Sequence, residues 1–476
     1  VASVASAREF DVVVLGGGTG GYSTALRAAG LGLEVALVER DLVGGTCLHR
    51  GCIPSKALLH AAEIMDGIDE GAKRWGIGAT VASVDAAALG ATRDDVVNRN
   101  YKGLLDHLHH DGITVVEGSG RLSSPRSVTV TGTPDGEVEL RARRGLVVAT
   151  GSRPRQLPGC PSDGEVVLTS DDATRSTRLP GSVLIVGAGA IGVEFATFYR
   201  AFGAEVTVVE ALDSVLPGED PDVSQEMARA LRRKGITVHV AARLDEVERR
   251  GPGVSALVRD AHGEKRVEAE VLLVAIGRVP VTDGSGLEDL GVSLDRGYVV
   301  PADWGRLETN VPGVHVVGDL LAPPSLALAH ASFAEGLLVA ETLAGQSPAP
   351  IDYAGVPRAT YSLPEAASVG LSEPAARERG LDVVVNRMPL GAVAKGLIYG
   401  QGGMVKLVAE KDGPVVGVHL VGPHVTELIA EGMLITNWEA LPREVAEWIH
   451  PHPSLSEAIG EAHLTLAGRR LHQQAR

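Results

Sequence analysis

Short aliphatic runs that end in glycine or an acid recur along the first part of the chain. They are DVVVLGGG from Asp11, EVALVE from Glu34, LVVATG from Leu146, SVLIVGAG from Ser182, EVTVVE from Glu205 and VLLVAIG from Val271. Runs this short, apolar at nearly every position and bounded by turn residues, predict strands of a parallel sheet covered on both faces. Alanine-rich stretches of helical length lie between them, such as TGGYSTALRAAGLG. Strands alternating with helices predict doubly wound α/β domains. The later chain differs: ATYSLPEAASVGLSE, DVVVNRMPL, MVKLVAE and PVVGVHLVG predict an antiparallel sheet, followed by helical stretches from Val425 to Trp448. A third, α+β domain is expected from about Ile351.

One glycine spacing occurs twice. Gly16, Gly18 and Gly21 follow the first run, with Glu39 eighteen residues after the last glycine; Gly187, Gly189 and Gly192 follow the fourth run, with Glu210 at the same interval. The second set lies 171 residues after the first. In such a strand-turn-helix the first glycine permits a tight turn and the second lets backbone approach a pyrophosphate. The third lets helix and strand pack closely. An acid ending the next strand can accept both hydroxyls of an adenosine ribose. A glycine-rich turn that binds nothing could mimic one set, but two complete sets in register predict two dinucleotide sites. At the second, the Glu210 carboxylate would repel a 2′-phosphate, and no arginine occurs from Ala211 to Met227, which points to NAD. Farther on, a strand ends in Gly318-Asp319. An acid there could hold a polyol such as the ribityl chain of FAD, though an ordinary turn would read the same.

Charge and composition narrow the partners. The 44 basic and 60 acidic residues leave a net −16, which argues against general affinity for nucleic acid or anionic lipid. No apolar run is long enough to predict a membrane span, and VASVASAREF at the start reads as too short and polar for a secretory signal. With only three cysteines the chain is no disulfide scaffold, and a cytoplasmic location is expected. Two of them, Cys47 and Cys52, nevertheless stand close together in GGTCLHRGCIPSK. Metal binding is one reading, with His49 and His60 nearby, but no second cysteine pair completes a zinc set. Two buried thiols suit so glycine-rich and polar a segment poorly. A disulfide is the third reading. Residues five apart in an ideal helix lie about 8 to 9 Å apart, beyond disulfide reach, so it would need a distorted turn at a helix start. Gly51 and Pro54 could supply one.

GGTCLHRGCIPSK closely resembles the redox motif of the FAD-dependent pyridine nucleotide-disulfide oxidoreductases. The resemblance extends over nearly the whole chain. It takes in both glycine motifs, LVVATG, LLVAIGRVP, Gly318-Asp319 with Leu328-Ala329-His330 after it, YSLPEAASVGLSE and HPHPSLSEAIGEA. It implies an α/β fold of two Rossmann-like dinucleotide-binding domains plus a C-terminal α+β dimerisation domain. On that basis 1–155 binds FAD and carries the redox disulfide, 156–279 binds NAD, 280–350 completes the FAD domain, and 351–476 is the dimerisation domain. Cys47 becomes the interchange thiol and Cys52 the one facing the flavin. Lys56 resembles the lysine near the flavin's reactive nitrogen, paired with Glu194. His452, with Glu457 five residues on, matches the family's general base and its orienting carboxylate, supplied by the partner subunit of a homodimer. Gly45, Thr46, Thr150, Gly151, Gly277, Ala329 and His330 join the motif glycines, Glu39, Glu210 and Asp319 among the implied FAD and NAD contacts.

Within the family the match is nearest to enzymes that oxidise dihydrolipoamide with NAD⁺. The implied partner is a lipoylated acyltransferase component of 2-oxo acid dehydrogenase complexes, or a glycine-cleavage lipoyl carrier. With the first glycine motif already at Gly16, the lipoyl group is expected on that partner. Sibling activities fit less well. No cysteine follows Cys160, as a mercuric reductase or larger thioredoxin reductase would require, and Glu210 opposes the NADP of glutathione reductase-like enzymes. The alternatives are another low-molecular-weight disulfide as substrate, or a structural subunit that responds to NADH. The chain departs from the family at His49 and Arg50, where Asn-Val is commoner, and at Pro451, where a small residue is usual. Cys160 reads as a plain surface-loop residue.

Overall fold

A computed structural model of the chain describes residues 7–473. They divide into two compact units. The first comprises the chain up to Ala57, Ala87–Arg155 and Arg278–Tyr353; the second comprises Leu58–Ala86, Gln156–Gly277 and Ala354 onward.

The first unit is built on a seven-stranded sheet. Its order is Thr114–Glu117, Val35–Glu39, Arg8–Leu15, Gly136–Val148, Ser127–Thr133 and Ser119–Ser124, with Val314–Val316 also pairing with Gly136–Val148. Arg8–Leu15 runs parallel to both its neighbours, and Val314–Val316 is parallel as well. The two strands beyond Gly136–Val148 are antiparallel. Val12, Val13, Val14, Val147 and Val148 are fully buried, as expected of a strand core covered on both faces. One cover is the helix Thr19–Gly30 packed on the helix Ala329–Leu343. A methyl group at Gly336 would lie 2.2 Å from the Ser23 hydroxyl, so only glycine lets these helices approach so closely.

The second unit holds three sheets. A five-stranded parallel sheet has the order Thr237–His239, Glu205–Val209, Ser182–Val186, Val271–Val274 and Val167–Thr169. A three-stranded antiparallel sheet, Arg243–Arg250, Gly253–Asp260 and Gly263–Ala269, precedes its fourth strand. The C-terminal sheet is antiparallel throughout, in the order Arg358–Thr360, Glu365–Gly370, Val415–Gly422, Met404–Glu410 and Val383–Pro389. The helix Val425–Asn437 packs on it through Val425, Ile429 and Ile435. No helix among the described residues is long and apolar enough to cross a membrane.

Candidate active site

The two glycine motifs fold into the same cradle. A methyl at Gly16 would lie 2.3 Å from the Ala149 carbonyl oxygen, and one at Gly21 would lie 1.8 Å from that of Gly16. In the second motif the equivalent distances are 2.3 Å, from Gly187 to Ala275, and 1.9 Å, from Gly192 to Gly187. The middle glycines, Gly18 and Gly189, meet nothing within 4 Å. Each stands just before a helix, Thr19–Gly30 or Ala190–Ala201, so open space faces the helix N-terminus where a pyrophosphate would sit.

The acids repeat as faithfully. Glu39 Oε2 accepts the Gly17 N–H at 2.7 Å and Oε1 accepts that of Asp41 at 2.9 Å. Glu210 Oε2 accepts the Ala188 N–H at 2.7 Å and Oε1 accepts that of Leu212 at 2.8 Å. Each carboxylate is thus aimed by its own phosphate loop, and each oxygen keeps acceptor capacity for a ribose hydroxyl. Both cradles fit a dinucleotide.

The cysteine segment follows the first acid. It forms a short helix, Gly45–Arg50, then breaks at Gly51 (φ −136°, ψ −109°) before the helix Cys52–Asp66. Cys47 and Cys52 straddle that break. The Cys47 side chain is hydrogen-bonded to that of Cys52, so the two sulfurs are brought together as the sequence expected. That hydrogen bond, then burial, then the field of Cys52 raise the Cys47 thiol above its ordinary range, while the charge of Lys56 opposes them. The segment lies against the first cradle, where a methyl at Gly45 would be 2.7 Å from the Gly18 Cα. The two unusual residues both find partners, His49 packed inside and Arg50 at the surface. His49 Nε2 bonds the Val43 carbonyl at 2.9 Å and its ring meets Tyr101 edge-on at 5.0 Å. Arg50 forms an ion pair with Asp41.

Gly318 and Asp319 form a single 3-10 turn, Gly318–Leu320, after the strand Val314–Val316. Asp319 Oδ2 accepts a hydrogen bond from the Ser152 hydroxyl at 2.5 Å, beside Thr150 and Gly151. Thr150 Oγ1 donates to the Val281 carbonyl at 2.6 Å. On the other side of the turn, Glu335 accepts the Gly318 N–H at 2.6 Å, the Ser325 hydroxyl at 2.7 Å and the Tyr353 hydroxyl at 2.9 Å. Burial outweighs these bonds and raises the Glu335 carboxyl. Ala329 and His330 open the helix that carries Glu335.

Sequence reasoning did not single out Glu335, Ser152, Arg278 or Tyr22. Burial, then the fields of Cys47 and Cys52, push the Tyr22 hydroxyl up to about 12, which marks it as a neighbour of the thiols. The available signal for Glu335 was a lone acid within the otherwise small and apolar ASFAEGLLVA.

The second unit carries the remaining candidates. Gly277 has φ +98° with open space around it, beyond the strand Val271–Val274. Glu194 is buried in the helix Ala190–Ala201 and its Oε1 accepts the Tyr361 N–H at 2.9 Å. Near the C-terminus two histidines each hold a carboxylate. His452 Nδ1 bonds Glu457 Oε1 at 2.7 Å, while Glu457 Oε2 accepts the Ser454 N–H at 2.8 Å. Burial alone would raise the Glu457 carboxyl, but the Ser454 amide and the His452 ring outweigh it and hold it below its usual range. The His452 side chain is 71% exposed. His450 Nε2 instead bonds Glu431 Oε1 at 2.7 Å, and its ring packs where Gly460 leaves room. Cys160 departs from the expected surface-loop residue: it is half-buried against an apolar cluster that includes Val166 and Val254, and burial raises its thiol.

Comparison with known proteins bears on the whole chain. Residues 10–336 match the family described as pyridine nucleotide-disulphide oxidoreductase, and residues 356–463 match its dimerisation domain. A dihydrolipoyl dehydrogenase of Bacillus subtilis is 41% identical over 98% of this chain and 100% of its own length. One from Chlorobaculum tepidum is 39% identical over 96% of this chain and 97% of its own. The crystal structure of LpdA from Mycobacterium tuberculosis superposes with a TM-score of 0.86 at 29% identity, covering 96% of this chain and 99% of that one. Glycine cradles alone occur in many nucleotide-binding proteins. Two of them in order, with a thiol pair against the first and this similarity from end to end, do not, and the chain belongs to the pyridine nucleotide-disulphide oxidoreductases.

Proposed function

We propose that the chain oxidises protein-bound dihydrolipoamide to lipoamide and reduces NAD⁺, with electrons passing through Cys47, Cys52 and FAD. The observation that carries this reading is the thiol pair: Cys47 is hydrogen-bonded to Cys52 across the Gly51 break, against the first dinucleotide cradle. FAD and NAD are the cofactors, and FAD, when bound, accepts two electrons from the thiol side and returns them as a hydride to NAD⁺. Each chain residue then has a task. His452, its Nδ1 bound to Glu457, offers Nε2 to take the proton of a substrate thiol. The substrate thiolate attacks Cys47 of the oxidised pair, the Cys47–Cys52 bond breaks, and Cys52 leaves as thiolate. The second substrate thiol expels Cys47, which releases the cyclic disulfide and leaves the enzyme dithiol. Cys52 opens the helix Cys52–Asp66, whose N-terminal dipole favours a thiolate. Lys56 and Glu194 are assigned to the flavin end by the resemblance.

The protein works as a homodimer in which His452 serves the partner subunit's thiols, and the domain division at residues 155, 279 and 350 belongs to the same reading. Support comes from the dimerisation-domain match and from apolar residues near this histidine. Ile449 is 97% exposed and Trp448 48% exposed, a pattern that favours burial against a second copy. The lipoyl group is carried by an acyltransferase component of a 2-oxo acid dehydrogenase complex or by a glycine-cleavage carrier, and the chemistry takes place in the cytoplasm. NADH formation by the purified flavoprotein, with dihydrolipoamide and either NAD⁺ or NADP⁺, tests the proposal. Turnover with NAD⁺ alone is expected. Absence of turnover in a protein whose thiol pair still cycles would move the search to another small disulfide.

A further inference from the structure

Arg278 directly follows Gly277 and opens the short strand Arg278–Pro280, and nothing in the proposed cycle uses it. Its guanidinium nevertheless touches both loops that would flank a flavin. Arg278 Nε donates to the Ser152 hydroxyl at 2.7 Å, and an outer nitrogen donates to the Ser152 carbonyl at 2.9 Å, so one residue is gripped twice. The same outer nitrogen reaches Thr46 Oγ1 at 3.4 Å, next to Cys47 in the chain. The Ser152 hydroxyl in turn donates a hydrogen bond to Asp319 Oδ2 at 2.5 Å. The result is a line from the redox helix, through arginine and serine, to the carboxylate of the Gly318 turn.

The backbone fixes the arginine for this task. Arg278–Pro280 pairs antiparallel with Ser152–Pro154, and the Val281 N–H donates to the Gly151 carbonyl at 2.8 Å. The guanidinium therefore leaves a rigid two-stranded ribbon with little freedom to lose. A serine hydroxyl held between a cation and a carboxylate is polarised from both ends, which strengthens both bonds. Only a planar fork grips one residue's hydroxyl and carbonyl together; a lysine ammonium would keep the charge but not the geometry.

We infer that Arg278 is a positioning residue that fastens the Thr46-Cys47 helix to the Ser152-Asp319 side of the flavin site, so that seating of FAD and alignment of the thiol pair depend on each other. This rests on the function proposed above.

The test uses purified, FAD-loaded full-length protein carrying Arg278→Met, Arg278→Lys or Ser152→Ala. Two properties are read: release of FAD on dilution, followed by its fluorescence, and the long-wavelength thiolate–flavin absorbance on anaerobic two-electron reduction, scaled to bound flavin. Arg278→Met should loosen FAD at least about tenfold, as expected for loss of a charge-assisted bond, and should remove more than half of the absorbance. Arg278→Lys should fall between Met and the parent. Ser152→Ala should loosen FAD while largely keeping the absorbance, because the arginine can still reach Thr46. If Arg278→Met does not fold, the Lys and Ala variants decide alone. Unchanged FAD release and absorbance would overturn the inference, as would looser FAD with the absorbance intact in the Met variant. If the parent protein itself shows no such absorbance, the proposed function fails, while the FAD-release comparison still judges Arg278.

Discussion

A methyl group at Gly192 would sit 1.9 Å from the Gly187 carbonyl oxygen, whereas one at Gly189 would meet nothing within 4 Å. Two glycines of one motif therefore do different work, one for the fold and one for the ligand. Gly192→Ala should lower stability by about 1–3 kcal/mol, because the turn must open to admit the Cβ. Gly189→Ala should leave unfolding unchanged yet weaken NADH binding about tenfold, by placing a methyl where the pyrophosphate would approach. Chemical denaturation and NADH titration of both variants separate the two effects. This distinction was legible in the sequence, since a motif within six residues carries its own geometry. The clamp at Glu335 was not, because its three donors, Gly318, Ser325 and Tyr353, come from separate segments.

At the scale of elements, MVKLVAE reads as a strand and is one, but its lysine does not face water. Lys406 is 1% exposed, and its ammonium lies 2.8 Å from Asp220 and 3.0 Å from Glu373, with Asp222 also bound. Asp220 caps the helix Pro221–Arg233 and also accepts the Glu373 N–H at the start of the helix Glu373–Glu378, so two helix N-termini converge on one buried cation. Burial alone would raise Asp222 and Glu373. Hydrogen bonds from Lys406 and from Arg387 or Arg377 outweigh it and hold both carboxyls below their usual ranges. Lys406→Met should cost about 3–5 kcal/mol at pH 7, since it leaves buried carboxylates without their cation. The sign with pH follows from these shifts. A depressed carboxyl stabilises the fold above the unfolded value, near 4, and that contribution is lost as pH falls through the lower folded value. The gap between variant and parent in urea unfolding should therefore narrow toward pH 3. Burial alone would lower Lys406, but its bonds to Asp220, Asp222 and Glu373 outweigh it and raise the amine, so its own contribution is full below the ordinary lysine value and is lost as pH rises through the higher folded one.

The whole molecule raises a question that one chain cannot answer internally. The loop bearing His450 and His452 follows Trp448 and Ile449, both exposed. If His452 serves a partner, two inactive chains should repair each other. A dimer of one Cys47→Ser chain and one His452→Gln chain contains one site with both groups intact, so co-expression should restore about half the activity per mixed dimer. Mixed dimers without activity would require the base and the thiols to come from the same chain.

What the sequence determined alone is local and periodic. The short apolar runs became strands because burial on both faces demands that pattern, and the two cradles formed because glycine spacing dictates turn and helix within a few residues. The later apolar runs became an antiparallel sheet whose inner strands are buried almost end to end. Tertiary structure decided which distant groups meet. Arg278 reaches Thr46 across 232 positions and Ser152 across 126, while Ser152 reaches Asp319 across 167. It also decided that His450 takes Glu431 while His452 takes Glu457, and that a strand lysine faces inward to three carboxylates. A hydrogen bond between residues so far apart depends on how whole elements pack. It leaves no periodic trace in either segment, and only the folded chain reveals it.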